Sequence, residues 1–157
     1  MPHARRSAPC HEASGPVARQ ARIGIDLVQV AAIERSIADF GARFTTRMFA
    51  PGELREATVD GRLDVRAHAA RFAAKEAAIK AFDLSEAGVA WSQIEVQAVP
   101  GDASSNRMVL TGRAAESVRA CGPYEISVAL SHREDMACAI VVALPAEGGP
   151  REIRRDE

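Results

Sequence analysis

Aromatic side chains are scarce in this 157-residue chain: they make up 4% of residues, with one Trp and one Tyr. A core must therefore be assembled mainly from Ala, Val, Ile and Leu, and a hydrophobic fraction of 47% is ample for a single domain. Cysteine is equally sparse. Cys10, Cys121 and Cys138 form an odd, widely spaced set with no CxxC pair. That argues against a disulfide scaffold or a structural zinc site and for a reduced, cytoplasmic setting. Cys121 and Cys138 lie among small apolar neighbours and read as ordinary core or helix-end residues rather than nucleophiles. No apolar run approaches the roughly 18 residues that a membrane span needs, and the N-terminal segment lacks the hydrophobic stretch of a signal peptide. A formal net charge of −1 gives no general case for nucleic-acid binding. GxGxxG, HExxH, GxSxG and P-loop motifs are all missing, as is any solenoid-like repeat.

What is present divides into a folded block expected over 21–144 flanked by two aperiodic tails, 1–20 and 145–157, the second ending in the mixed-charge run Arg151–Glu157. Arg22–Val28 alternates as a strand, with Ile23, Ile25 and Leu27 on one face and Gly24, Asp26 and Val28 on the other. Val30–Phe40 is predicted helical and stopped by Gly41. Pro51 opens a short helix, where its missing N–H is harmless. A long helix is predicted over Asp64–Phe82. Trp91–Val99 and Arg107–Thr111 read as strands separated by a polar turn over Pro100–Asn106. Gly112–Ala120 is helical, and Tyr124–Leu130 and Met136–Leu144 are strands joined by Ser131-His132-Arg133-Glu134-Asp135. So short a connection implies antiparallel pairing. The sum is an α+β domain, a long helix packed on a largely antiparallel sheet, and not a doubly wound dinucleotide fold.

The chemistry concentrates in Arg71-Phe72-Ala73-Ala74-Lys75-Glu76-Ala77-Ala78-Ile79-Lys80. Phe72, Glu76 and Lys80 fall on one helical face, with Arg71 and Lys75 as an adjoining basic row. Glu76 alone reads either as a solvated charge paired with Lys80 or Arg71, or as a metal ligand. Asp26, set among apolar residues, either caps the following helix or has a functional partner that offsets its desolvation. Together, one carboxylate from a strand end and one from a rigid helix suit Mg²⁺, whose remaining positions go to water and substrate phosphates. Arg71, Lys75 and Lys80 would then supply the charge complement of those phosphates. His132 lies beside Arg133, Glu134 and Asp135 in a turn, which leaves open simple exposure or a ligand-binding role.

Four segments, taken in order, resemble the holo-acyl-carrier-protein synthases, the small single-domain 4′-phosphopantetheinyl transferases. They are Ile23-Gly24-Ile25-Asp26-Leu27-Val28; Arg43-Phe44 with Arg47-Met48-Phe49 and Glu53-Leu54; Arg71 through Phe82; and Ile126-Ser127-Val128-Ala129-Leu130-Ser131-His132. The resemblance runs from about Arg22 to Leu144, and the Arg71–Ala77 segment is its most specific part. It implies an α+β fold assembled as a homotrimer with coenzyme A in clefts between subunits. It also implies Mg²⁺ held by Asp26 and Glu76, and coenzyme phosphates contacted by Arg71, Lys80, Ser131 and His132. Arg43 corresponds to a position that grips the acidic helix of an apo acyl carrier protein. The reaction implied is attack of a carrier serine on the coenzyme pyrophosphate, releasing 3′,5′-adenosine bisphosphate. Its catalytic residues would be Glu76 and Lys80, the serine proton passing to Glu76 or to a water on the metal.

The chain departs from the family pattern at Gln29, where a carboxylate is usual, at Ala32, where an arginine is usual, and over Asp83–Gly88, where a glycine-rich turn is usual. These changes bear on metal support, carrier recognition and coenzyme affinity. They keep two other readings open: a relative that binds coenzyme A or a carrier without transferring the arm, and a pathway-specific enzyme reusing the same cleft.

Overall fold

The alternating segment near the start forms β1 (Arg22–Gln29), and helix α1 (Val30–Phe40) follows without a loop. The computed structural model describes residues 20–146, so apart from their inner ends the tails predicted over 1–20 and 145–157 lie outside the described residues. Gly41, at φ 52°, ends α1 as predicted, its N–H donating to the Ile37 carbonyl at 2.8 Å. Two short helices come next, α2 (Ala42–Met48) and α3 (Pro51–Glu56), and then a small hairpin of β2 (Thr58–Val59) and β3 (Arg62–Leu63). Neither α2 nor this hairpin was expected from the sequence pattern.

The long helix α4 (Val65–Phe82) has the predicted extent. Asp64 caps it, Oδ1 accepting from the N–H groups of Arg66 at 3.0 Å and Ala67 at 3.2 Å. At its other end Asp83 takes the left-handed conformation, φ 54° and ψ 50°, that a terminating glycine adopts without cost. Burial extends around most of α4: Ala69, Ala73, Ala74 and Ala77 are fully enclosed, and so are His68 and Lys75. The helix therefore has little amphipathic contrast, as befits one covered by a sheet on one side and by other elements on the rest.

A 3₁₀ turn (Trp91–Gln93) leads into β4 (Ile94–Val99), followed by β5 (Asp102–Leu110), α5 (Gly112–Cys121), β6 (Tyr124–His132) and β7 (Met136–Pro145). The five long strands make one antiparallel sheet in the order β1-β7-β6-β5-β4. Several boundaries differ from expectation: Trp91–Gln93, read as the start of a strand, is the 3₁₀ turn, and β6 runs past Leu130 to His132. The β4–β5 connection is only Pro100-Gly101, with Gly101 at φ 83° and Val99 paired to Asp102; this is the Pro-Gly pattern of a type II turn. The polar run Asp102–Asn106 belongs to β5 rather than to a turn. Pro145, expected in the tail, is the last residue of β7 and pairs with Tyr124.

The faces of β1 are assigned opposite to what hydrophobicity alone suggests. Gly24 and Val28 turn inward against α4, whereas Ile23, Ile25 and Leu27 are 67%, 62% and 65% exposed. Ile140 and Leu144 of the neighbouring β7 are also exposed. The inward choice follows from contact distance. A Cβ placed on Gly24 would lie 1.8 Å from the carbonyl oxygen of Ala77, so the backbones of β1 and α4 meet where no side chain intervenes.

Asp83→Gly is expected to stabilise the protein by about 0.5–1 kcal/mol by relieving the left-handed residue, read as a melting-temperature rise of a few degrees in calorimetry.

Candidate active site

Asp26 stands on the inward face of β1, two residues after Gly24, and Lys80 reaches it from the last turn of α4. Lys80 Nζ donates to Asp26 Oδ1 at 2.6 Å and lies 3.4 Å from the carbonyl oxygen of Ile25. Glu76, one turn earlier on α4, completes the group. Partial burial raises its carboxyl above the usual range; the charge of Asp26 raises it further, and Lys80 opposes the shift. Three of the sequence-predicted residues, Asp26, Glu76 and Lys80, are thus brought together by one helix–strand contact. Asp26 does not cap α1, whose N-cap is Gln29 with no side-chain capping bond. Glu76 pairs with neither Lys80 nor Arg71, because Lys80 is engaged by Asp26 and Arg71 by Glu56.

Lys75 is a correction to the expected set of phosphate-facing cations. It is fully buried, with Nζ bonded to Glu53 Oε2 at 2.7 Å, to the Trp91 carbonyl at 3.1 Å and to the Ile94 carbonyl. Glu53 also accepts from Ala50 N–H at 2.8 Å and Val96 N–H at 3.1 Å. Burial pushes the Glu53 carboxyl up and the Lys75 ammonium down, against the attraction between them. Every oxygen and proton of this pair faces a partner inside the protein, so it anchors α4 to α3 and β4 and cannot greet a substrate.

Arg71 is also largely buried. Its Nη2 meets Glu56 Oε2 at 3.0 Å, Glu56 in turn accepts from Ala98 N–H at 3.2 Å, and Arg71 Nε has no partner among the described residues. The arginine therefore lies more than a turn before Glu76 on α4, held by a carboxylate of α3. Ser131 and His132 are strand residues, not loop residues: they end β6, paired with Cys138 and Ala137. The hairpin turn is only Arg133–Asp135, tied to α1 by the bond from Val30 N–H to the Asp135 carbonyl at 2.9 Å. Antiparallel partners share a face. The row Val28–Ala137–His132 puts His132 on the side of Asp26, and the row Leu27–Cys138–Ser131 puts Ser131 on the opposite side. Two strand spacings, roughly 10 Å, separate β6 from β1, so neither residue joins the Asp26 cluster within one chain. Arg43 is exposed on α2, with Arg47 one turn beyond it.

Sequence reasoning missed three residues on which this geometry depends. Gly24 permits the helix contact; a lone glycine inside a strand was its signal. Glu53 and Glu56 hold Lys75 and Arg71, and nothing local marks either as a partner of a residue so far along the chain.

Among the described residues no group of three or more His, Cys, Asp or Glu side chains is arranged for a metal ion. Two carboxylates nevertheless fit Mg²⁺, which keeps several waters and substrate oxygens in its shell. A positive charge already sits on Asp26 in the form of the Lys80 ammonium, and among the described residues Glu76 has no salt-bridge partner. Asp26 and Glu76 are the residues that would hold such an ion.

Two outcomes follow from this geometry. Gly24→Ala is expected to cost about 3 kcal/mol, since the overlap is with backbone rather than with a flexible side chain, and to lower the denaturation midpoint in urea. Glu76→Gln is expected to stabilise the metal-free protein at neutral pH. A carboxyl raised on folding opposes the folded state once ionised, so the gain is present above the raised pKa and vanishes as pH falls and Glu76 is protonated. Melting curves from pH 3 to 8 read this directly.

Residues 22–141 match the family model of the 4′-phosphopantetheinyl transferase superfamily. The holo-[acyl-carrier-protein] synthase of Koribacter versatilis is 40% identical over 120 residues, covering 76% of this chain and 94% of that protein. The synthase of Desulforudis audaxviator is 36% identical over 133 residues, covering 85% and 96%. Among solved structures, an ACPS–CoA complex from Chronobacterium ammoniagenes superposes with a TM-score of 0.69 at 27% identity, covering 81% of this chain and 98% of that one. A Helicobacter pylori holo-[acyl-carrier-protein] synthase in complex with coenzyme A gives 0.65 at 25% identity, covering 78% and 99%. On this match and these identities, the chain belongs to the 4′-phosphopantetheinyl transferase superfamily.

Proposed function

We propose that this protein transfers the 4′-phosphopantetheine arm of coenzyme A to a serine of an apo acyl carrier protein, with release of 3′,5′-adenosine bisphosphate. The observation that carries the reading is the meeting of Asp26 and Lys80 beside Glu76, in a chain whose relatives are named for this activity and have been solved with coenzyme A.

In the step itself the serine Oγ forms a bond to the β-phosphorus while the bridging pyrophosphate bond breaks, its electron pair leaving with the bisphosphate. Little covalent help is needed; alignment and charge neutralisation dominate. Mg²⁺ bound by Asp26 and Glu76 would supply Lewis-acid stabilisation of the pyrophosphate charge. Lys80, half exposed on a flexible stem, can swing from Asp26 to the developing phosphate charge. The serine proton passes to Glu76 or to a water beside it.

The remaining assignments are part of the same proposal. Arg71, Ser131 and His132 contact coenzyme phosphates, with Arg71 sharing its guanidinium between Glu56 and ligand. Arg43 meets the acidic face of the carrier. The exposed apolar face formed by Ile23, Ile25, Leu27, Ile140 and Leu144 supports a homotrimer, with active sites in clefts between subunits. Such an arrangement gives Ser131 and His132, apart from Asp26 in their own chain, a site on a neighbouring copy. A cytoplasmic location goes with coenzyme A as donor, and 21–144 is the domain that acts.

Intact-protein mass spectrometry of an apo acyl carrier protein, incubated with this protein, coenzyme A and Mg²⁺, tests the reading. One added phosphopantetheinyl group is expected, lost with a chelator and slowed roughly 10²–10³-fold by Asp26→Asn. No gain across fatty-acid and polyketide carriers, from protein with a native circular-dichroism spectrum, would sink transferase activity and leave a coenzyme- or carrier-binding role.

A further inference from the structure

Lys80 occupies an oxygen of Asp26, one of the two carboxylates that would hold a divalent cation. The ammonium lies 2.6 Å from Asp26 Oδ1 and 3.4 Å from the Ile25 carbonyl oxygen, and is thus placed as a counterion to the strand end. The two partners differ in freedom. The Asp26 side chain is 13% exposed and rooted in a paired strand, whereas that of Lys80 is 52% exposed and stands in the last turn of a helix. Lys80 is therefore the member that can move. Among the described residues Glu76 makes no salt bridge, so of the two carboxylates Asp26 is the one that carries the ammonium.

A divalent ion arriving alone must displace the ammonium into water and lose a charge-assisted hydrogen bond. An ion arriving with a diphosphate ester meets a different balance, because the anion offers the displaced ammonium a new partner. On the basis of the transferase reading, we propose that Lys80 is a built-in competitor at Asp26 that makes metal binding conditional on the phosphorylated co-substrate. The coupling is reciprocal: whatever the coenzyme contributes to metal affinity, the metal contributes to coenzyme affinity. The device would keep the two carboxylates from retaining divalent ions when no coenzyme is present, without any change in the fold.

The test uses the full chain and Mn²⁺, whose free fraction is counted by electron paramagnetic resonance, with and without saturating coenzyme A. Wild type is compared with Lys80→Met, Lys80→Arg and Arg119→Met, the last removing an exposed charge on α5 far along the chain from Asp26. Coenzyme A is expected to tighten Mn²⁺ binding to the wild type by at least about tenfold. Lys80→Met is expected to tighten Mn²⁺ alone by about tenfold and to shrink the coenzyme-dependent gain by a similar factor. Lys80→Arg should keep weak metal-only binding, and Arg119→Met should stay within about twofold of wild type. Equal metal-only affinity in wild type and Lys80→Met overturns the proposal. So does equal tightening by Arg119→Met, because overall charge rather than the Asp26 contact would then be responsible. Calorimetric titration of coenzyme A into the same samples separates the two levels. Absence of coenzyme binding to wild type removes the transferase reading and the coupling with it. Coenzyme binding with unchanged metal affinity in Lys80→Met removes this proposal alone.

Discussion

The approach of α4 to β1 at Gly24 is the constraint on which the rest of the molecule depends. A helix normally stands off a sheet by the length of interleaved side chains. Here a missing Cβ on the strand lets the Ala77 carbonyl close to the backbone, and alanines at 69, 73, 74 and 77 continue the close contact along the helix. The small residues that make the composition look bland are what allow it, since dispersion contacts are lost quickly as a gap opens. Two carboxylates on different elements, Asp26 and Glu76, are thereby held in electrostatic range without a loop to position either.

The two lysines of α4 show how strongly orientation overrides residue type. Lys75 and Lys80 lie five residues apart, so their side chains leave the helix on different sides. One is sealed among Glu53 and two carbonyls, and the other reaches solvent beside Asp26. Removing a partner from the buried pair leaves an uncompensated charge in the core, while removing one from the exposed pair leaves a charge that water can solvate. The first fixes where α4 sits relative to α3 and β4, and the second leaves a side chain free to change partners.

Much of this was legible in the sequence for identifiable reasons. The ends of α1 and α4 are written locally, in Gly41 and Asp64, and the grouping of Glu76 with Lys80 follows from helical spacing. The resemblance carried by Arg71–Ala77 fixed the fold and family. The burial of Lys75 was not legible, because it depends on Glu53, Trp91 and Ile94 standing opposite. Nor was the outward turn of Ile23, Ile25 and Leu27, since alternation identifies two faces but not which one meets a helix. The start of β5 was lost because its polar residues resemble a turn, although Pro100-Gly101 was a sufficient turn signal. Ser131 and His132 read as loop residues because a strand extending past its apolar run leaves no hydrophobic trace.

Trp91 has a further consequence. Its ring stacks on Phe72 with centroids 4.9 Å apart and planes 18° from parallel, where the 3₁₀ turn meets the face of α4 that also carries Glu76. As the chain's single tryptophan, it is a native fluorophore whose emission has one structural origin. Its brightness and colour register whether α4 is seated against the entry to β4, so the docking that assembles the site carries its own optical label.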